Sequence, residues 1–232
     1  MGVGGFEIED SVLSRQVGSA RKMGARRQVS YFPTFLVPLP QFLGNPFGML
    51  DDIERILFQE QTILRRIESL AGEITEAYRG KEFVVIAVLN GSLIFAADLM
   101  RRIPLPLRLD CLSVASYHGG VESSGFVTFD QLTLPDVKGR HVLIVDDILD
   151  SGRTLHAIGE RLRAEAMPAS IRICVLLRKE KQRAESLEVD FVGFDIGDEF
   201  VVGYGLDYAE RYRNLPFVGV LRTEIFSGQP PE

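Results

Sequence analysis

The 232-residue sequence has no tryptophan, only two cysteines, and no apolar run near the ~20 residues that span a bilayer. The missing tryptophan excludes nothing. Cys111 and Cys174 each sit inside an apolar run, so they read as buried free thiols and not as a disulfide or metal pair. That usage fits a reducing cytoplasm. The N-terminus lacks the basic-then-apolar pattern of a secretory signal. A cytoplasmic protein with no membrane partner is therefore expected. An excess of basic residues is missing too: the net charge is −6, which argues against nucleic acid as a partner. The Walker pattern GxxxxGK(S/T) is absent, and residues 51–232 show no internal repeat or low-complexity tract.

What is present is 46% hydrophobic residues, enough for one sizeable core. Residues 1–50 stand apart. They carry five Lys/Arg against three acids, leaving 21 basic and 29 acidic residues, or −8, for the remainder. The stretch YFPTFLVPLPQFLGNPFG at 31–48 holds proline too densely for a regular helix or a central strand. Residues 1–50 are expected to be an extension, disordered or lying on the surface, with 51–232 as the folded domain. Patterned sequence begins just after Met49, so that residue is an alternative start.

From there strand and helix patterns alternate. Ile53–Phe58 suits a short edge strand. Ile63, Ile67, Leu70, Ile74 and Ala77 are spaced for a helix over 60–78, ended by Arg79-Gly80. FVVIAVL at 83–89 is continuously apolar, as in a strand covered on both faces. A helix over 93–102 and a strand over 107–116 follow. The polar, glycine-bearing stretch at 116–126 suits a mobile loop. Then come a strand over 141–145, a helix over 154–166, a strand over 171–177, and apolar segments at 190–196 and 200–208. The alternation predicts an α/β fold, a parallel sheet with helices on both faces. Ligands of such sheets bind beyond the carboxyl ends of the strands. That singles out Asn90-Gly91-Ser92, 146–154 and the tail beyond Val202.

The stretch VLIVDDILDSGRTL at 142–155 places Asp146, Asp147 and Asp150 where they repel one another. One such Asp would read as a helix cap or turn residue. Three need hydroxyl donors or cations to offset the repulsion. The following Ser-Gly-Arg-Thr brings a glycine for a close turn, two hydroxyls, and backbone N–H groups opening onto a helix, which makes an anion cradle. A phosphorylated ribose satisfies both halves. The acids accept from sugar hydroxyls and the loop holds the 5-phosphate.

This stretch resembles the phosphoribosyl-pyrophosphate signature of the purine phosphoribosyltransferases. From about Ile53 to Leu221 the chain is similar to the hypoxanthine-guanine phosphoribosyltransferase family, most closely in DFVGFDIGDEFVVGYGLDYAERYRNLP at 190–216 and in LLRK at 176–179. The resemblance implies a phosphoribosyltransferase-type, Rossmann-like fold with a small hood and a flexible flap. It implies transfer of 5-phosphoribosyl from phosphoribosyl pyrophosphate to N9 of hypoxanthine or guanine, giving IMP or GMP and pyrophosphate. Magnesium is the implied cofactor and a homodimer or homotetramer the implied assembly.

The family's roles map onto this sequence as follows. Asp146 and Asp147 match the acids that bind the ribose hydroxyls. Asp150 matches the general base near purine N7, and Asp150, Ser151, Gly152, Arg153 and Thr154 match the 5-phosphate loop. Lys179 matches the donor to the purine 6-oxo oxygen, which disfavours adenine because its 6-amino group is itself a donor. Phe200 matches the aromatic that stacks on the base, and Val201 the residue whose backbone meets its edge. Taken alone, Lys179 would be a solvated strand-end lysine and Phe200 ordinary core. Asp207 matches a magnesium contact, and Arg213 an arginine reaching pyrophosphate. Asn90 and Gly91 match the pyrophosphate loop. Many relatives have Lys where this chain has Asn90, but the role there is largely the backbone's, through a peptide that is often cis. Ser116 and Tyr117 match the start of the flap that excludes water. His118 beyond them reads as an exposed histidine.

Two alternatives remain at this level. Lys179 does not exclude xanthine, which also carries a 6-oxo group. A non-catalytic RNA-binding regulator on the same fold would need a basic surface, against which the −8 of residues 51–232 argues.

Overall fold

The computed structural model describes residues 48–116, 127–129, 134–181 and 187–227. The extension up to residue 47 lies outside them, as do Tyr117, His118 and the rest of 117–126. The chain runs β1 (Ile53–Phe58), α1 (Glu60–Tyr78), β2 (Phe83–Leu89), α2 (Leu93–Met100), β3 (Arg108–Ser116), β4 (Val127–Phe129) and β5 (His141–Leu149). It continues with α3 (Arg153–Arg161), a π-turn at Leu162–Ala166, β6 (Ser170–Lys179), β7 (Phe191–Ile196), β8 (Val201–Val202), β9 (Val218–Leu221) and α4 (Thr223–Ser227).

Six strands form the main sheet in the order β4-β3-β2-β5-β6-β7, parallel throughout except for β4 at one edge. Strand parity divides the core. Val85 and Ala87 of β2 and Leu143 and Val145 of β5 pack against Ile63, Ile67 and Ile74 of α1 and Phe95 and Leu99 of α2. Val84, Ile86 and Val88, with Val142 and Ile144, meet Leu155 and Ile158 of α3 on the opposite face. This explains the unbroken apolar run at 83–89: both faces of the strand are covered. Each fully buried Ile or Leu on the α1 stripe contributes about 2 kcal/mol relative to exposure.

A second, three-stranded antiparallel sheet, β1-β9-β8, forms the hood. Its own small core holds Ile53, Val202, Tyr212, Leu215, Phe217 and Leu221. The expected α/β fold with a hood is present.

Several bounds differ from the sequence expectation. β5 runs to Leu149, past the expected end at 145, because the ladder to β6 continues through Asp146↔Val175 and Ile148↔Leu177. Backbone pairing there overrides side-chain polarity. The helix over 154–166 is α for only part of its length: the π-turn at Leu162–Ala166 follows, and Met167, in the left-handed region just before Pro168, ends it. Only Val201 and Val202 of 200–208 are strand. β4 and β9, three and four residues long, are too short to show a period. No helix among the described residues is long and apolar enough to cross a membrane.

Candidate active site

The carboxyl ends of β2, β5 and β6 converge with the turn after β8. Asp146 is buried and Asp147 half-buried in the last turn of the β5 ladder. The Asp147 N–H donates to Asp146 Oδ1 at 3.0 Å, and the Ile148 N–H donates to Asp147 Oδ1 at 2.7 Å. Burial, reinforced by the negative charge of Asp147, holds the Asp146 carboxyl well above the usual carboxylate range. Burial also raises Asp147, against hydrogen bonding by the Ile148 N–H and the positive charge of Arg213. The repulsion expected among these acids is thus present in the fold, and hydroxyl donors or a cation would offset it.

Asp150 follows at the start of the loop. Gly152 takes φ +79° and forms the N-cap of α3. That left-handed conformation suits glycine. The Arg153 N–H reaches Ser151 Oγ at 3.4 Å, and the first full-turn backbone bond is His156 N–H to Gly152 O at 2.9 Å. Backbone amides before His156 therefore open outward from the helix start, the arrangement that cradles a phosphate. Ser151 and Arg153 are exposed and Thr154 is half-buried.

Asn90 and Gly91 form the turn between β2 and α2, and the Leu89–Asn90 peptide is cis. Asn90 is exposed. Ser92 is fully buried and its hydroxyl donates to Val88 O at 2.6 Å, tying the turn to β2. Gly91 lies flat against Asp147: a Cβ added there would stand 1.8 Å from Asp147 Oδ2. Gly205, at φ +104°, lies against the other side of the turn, where a Cβ would stand 2.1 Å from the Gly91 carbonyl oxygen. Arg213 Nη1 donates to Gly205 O at 2.9 Å and pairs with Asp207 Oδ1 at 2.9 Å, while Nη2 pairs with Glu210 at 3.0 Å. Gly91, Asp147, Gly205, Asp207 and Arg213 therefore form one contiguous wall.

The other wall gathers around Asp150. Lys179, buried at the end of β6, places Nζ 3.2 Å from Asp150 Oδ2 and 3.3 Å from Asp198 Oδ1. Lys181 also pairs with Asp150, and with Asp198 Oδ1 at 3.2 Å. Two ammonium and two carboxylate groups thus alternate in a ring. Burial alone would raise Asp150, but the hydrogen bond from Lys181 and the charge of Lys179 outweigh it and hold the carboxyl below its ordinary value. Asp198 is lowered by hydrogen bonds from Lys181 and Lys179. Two residues past Asp198, Phe200 is 37% exposed, with its ring stacked on Phe226 at 4.9 Å. Val201 is buried and paired to Val220. Phe200 is therefore not ordinary core, and Lys179 is not a solvated strand-end lysine.

The structure thus links Asp146, Asp147, Gly91, Asp207 and Arg213 through one chain of contacts and pairs Asp150 with Lys179 in another, the end of β5 leading from Asp147 to Asp150. The side chain of Ser116 and all of Tyr117 fall outside what is described. Sequence reasoning missed Lys181 and Asp198. Lys181 lies past the end of β6 at Lys179, in a bend where strand parity no longer applies, so no local pattern marks it. Sequence reasoning also missed Asp98 of α2, whose carboxylate accepts from the Tyr204 hydroxyl at 2.5 Å. The signal was present, because Asp98 is the one charged residue in the helix LIFAADLM.

Asp207 offers a hard oxygen donor beside an arginine, and the described residues contain no cluster of three or more His, Cys, Asp or Glu that could hold a metal. One carboxylate suits magnesium, which commonly takes one or two carboxylates and fills the rest of its shell from substrate and water.

A strand-end diacid, a glycine-capped anion loop and a facing pyrophosphate-type turn are the parts of a phosphoribosyltransferase. The family described as phosphoribosyl transferase domain matches residues 55–209. The hypoxanthine-guanine phosphoribosyltransferase of Streptococcus pneumoniae is 42% identical over 177 residues, covering 76% of this chain and 98% of its own. A hypoxanthine phosphoribosyltransferase structure from Staphylococcus aureus aligns with TM-score 0.74 and 40% identity, covering 80% of this chain and 100% of that one. The hypoxanthine phosphoribosyltransferase of Trypanosoma cruzi, a mutant in a ternary substrates complex, aligns with TM-score 0.70 and 38% identity, covering 76% and 99%. The chain belongs to the hypoxanthine-guanine phosphoribosyltransferase family.

Proposed function

We propose that this chain transfers the 5-phosphoribosyl group of phosphoribosyl pyrophosphate to N9 of hypoxanthine or guanine. The N9–C1 bond forms as the C1–O bond to pyrophosphate breaks, through a transition state of oxocarbenium character. The observation that carries the reading is the pair of walls that flank the end of β5, joined through the strand's own run from Asp147 to Asp150. One wall is Gly91, Asp147, Gly205, Asp207 and Arg213. The other is Asp150 with Lys179.

Asp146 and Asp147 accept from the ribose 2- and 3-hydroxyls. The loop Asp150–Thr154 binds the 5-phosphate through amides and hydroxyls. Asn90 and Gly91 present backbone to the pyrophosphate, and Arg213 supplies positive charge as it departs. Asp207 would hold magnesium together with substrate oxygens, and the ion would neutralise charge on the leaving group. Phe200 stacks on the base and the Val201 backbone meets its edge.

Lys179 turns from Asp150 to the purine 6-oxo oxygen, and Lys181 remains on Asp150. That keeps the carboxylate ionised and able to take the N7 proton. Ser116 and Tyr117 open the segment that would cover the reaction from water. A homodimer or homotetramer in the cytoplasm completes the proposal.

The test is pyrophosphate release with phosphoribosyl pyrophosphate, magnesium and each of hypoxanthine, guanine and xanthine, beside Asp150→Asn. Turnover with hypoxanthine or guanine is expected, lowered on the order of a hundredfold or more in D150N. Preference for xanthine would change the substrate, and no turnover with any purine would reject the reaction.

A further inference from the structure

Three consecutive residues after β8, Gly203, Tyr204 and Gly205, have φ of +94°, +52° and +104°. Two are glycines, which take this region freely, but Tyr204 is not. The backbone is pinned on every side. Gly203 N–H donates to Leu206 O, Tyr204 N–H to Leu215 O and Gly205 N–H to Arg213 O, at 3.0, 2.8 and 3.0 Å. This turn aims the Tyr204 side chain away from the hood. The ring is buried, and its hydroxyl donates to Asp98 Oδ2 at 2.5 Å. Asp98 sits on α2, and its Oδ1 faces Arg101 and Arg102.

The two ends of this bond belong to different halves of the site. α2 begins immediately after the Asn90-Gly91-Ser92 turn. Gly205 rests on Gly91, and its carbonyl holds Arg213. The Tyr204–Asp98 bond therefore closes a second link between the same two segments, about two helical turns behind the Gly205–Gly91 contact. A single contact would let the turn at 90–92 pivot, whereas two fix its distance and its tilt relative to Arg213.

We propose that Tyr204 and Asp98 form a positioning pair that sets the pyrophosphate-binding turn against Arg213, so that its backbone and the guanidinium meet the same leaving group. This rests on the proposed reaction and deepens it. Neither side chain touches substrate.

Tyr204→Phe keeps the ring and removes only the hydroxyl. It should raise KM for phosphoribosyl pyrophosphate and the Kd for magnesium pyrophosphate about tenfold, as expected for a lost hydrogen bond to a charged partner. KM for hypoxanthine should stay within about twofold, a change too small for any lost hydrogen bond. Asp98→Ala should match it, Asp98→Asn, which keeps an acceptor oxygen, should partly restore affinity, and the double variant should be no worse than D98A. A Y204F protein with lowered Tm but unchanged pyrophosphate affinity would reduce the pair to a structural contact, and additive single variants would deny that they act together. Calorimetry with magnesium pyrophosphate needs no turnover. An inactive wild type would therefore reject the reaction while the Kd ratio still decides the pair, and a wild type that binds no pyrophosphate would remove the pair's role.

Discussion

Along 146–154 the groups proposed to meet the ligand are neighbours in the chain; along 203–213 they are neighbours only in space. The first region works through side chains: Asp146, Asp147 and Asp150, then a glycine and two hydroxyls, are delivered in order by one strand and one turn. The second works through backbone shape. Gly205 matters because it has no Cβ, and Arg213 is aimed by a carbonyl eight residues earlier in the chain. A side-chain site tolerates local error, because a carboxylate can rotate. A backbone site does not, because the close approach has no spare degree of freedom.

The sharpest way to break that comparison is Gly205→Ala. The new Cβ would meet the Gly91 carbonyl oxygen at 2.1 Å, and a φ of +104° is itself unfavourable for alanine. Backbone must move on one side or the other, and the turn at 90–92 moves with it. A displacement of about 1 Å in such a site costs roughly a hundredfold in rate. We expect kcat/KM for phosphoribosyl pyrophosphate to fall by that factor or more, with the far-ultraviolet circular dichroism of the sheet retained. Near-wild-type activity in G205A would show that the second region is as forgiving as the first.

A smaller effect, on the other wall, separates base from leaving group. Lys179→Gln removes the cationic donor proposed for the 6-oxo oxygen while leaving Lys181 on Asp150. A hydrogen bond to a charged group is worth about 1.5–3 kcal/mol, so KM for hypoxanthine should rise roughly ten- to a hundredfold. Affinity for phosphoribosyl pyrophosphate should hold, the reverse of the pattern expected for Y204F. Equal losses for both substrates in steady-state kinetics would mean that the two walls are not separable.

The same contrast governs what could be read in the sequence. The parallel sheet was legible because strands covered on both faces are continuously apolar and the helix at 60–78 keeps its period. The acidic strand end was legible because its parts are contiguous and its repulsion demands a partner. Lys179, Phe200 and Arg213 were reached only through resemblance, since a lone lysine, phenylalanine or arginine carries no local sign of its role. Tyr204 and Asp98 lie 106 positions apart, and only the folded hood brings them together. The strand β9 was invisible because four residues hold too little pattern, although it anchors both β1 and β8.

The finest test returns to Asp150 and the lysine that sequence reasoning missed. Burial pushes the Asp150 carboxyl up, and the hydrogen bond from Lys181 is the largest of the influences that bring it below its ordinary value. A carboxylate whose folded value is depressed contributes stability above its unfolded pKa, near 4, and loses it as pH falls through the folded value. The same sign applies to activity: a base held ionised by two lysines keeps working further into acid. Lys181→Gln removes one of them, and in the proposed reaction the purine draws away the other by engaging Lys179. The acid limb of the kcat/KM profile for hypoxanthine should therefore move to higher pH in K181Q, with little change at neutral pH. Lys181→Arg, which restores the cation, should bring the limb back. An unmoved acid limb in K181Q would mean that Asp150 takes its ionisation from the loop and bound substrate instead, and that the first region is self-sufficient even in its electrostatics.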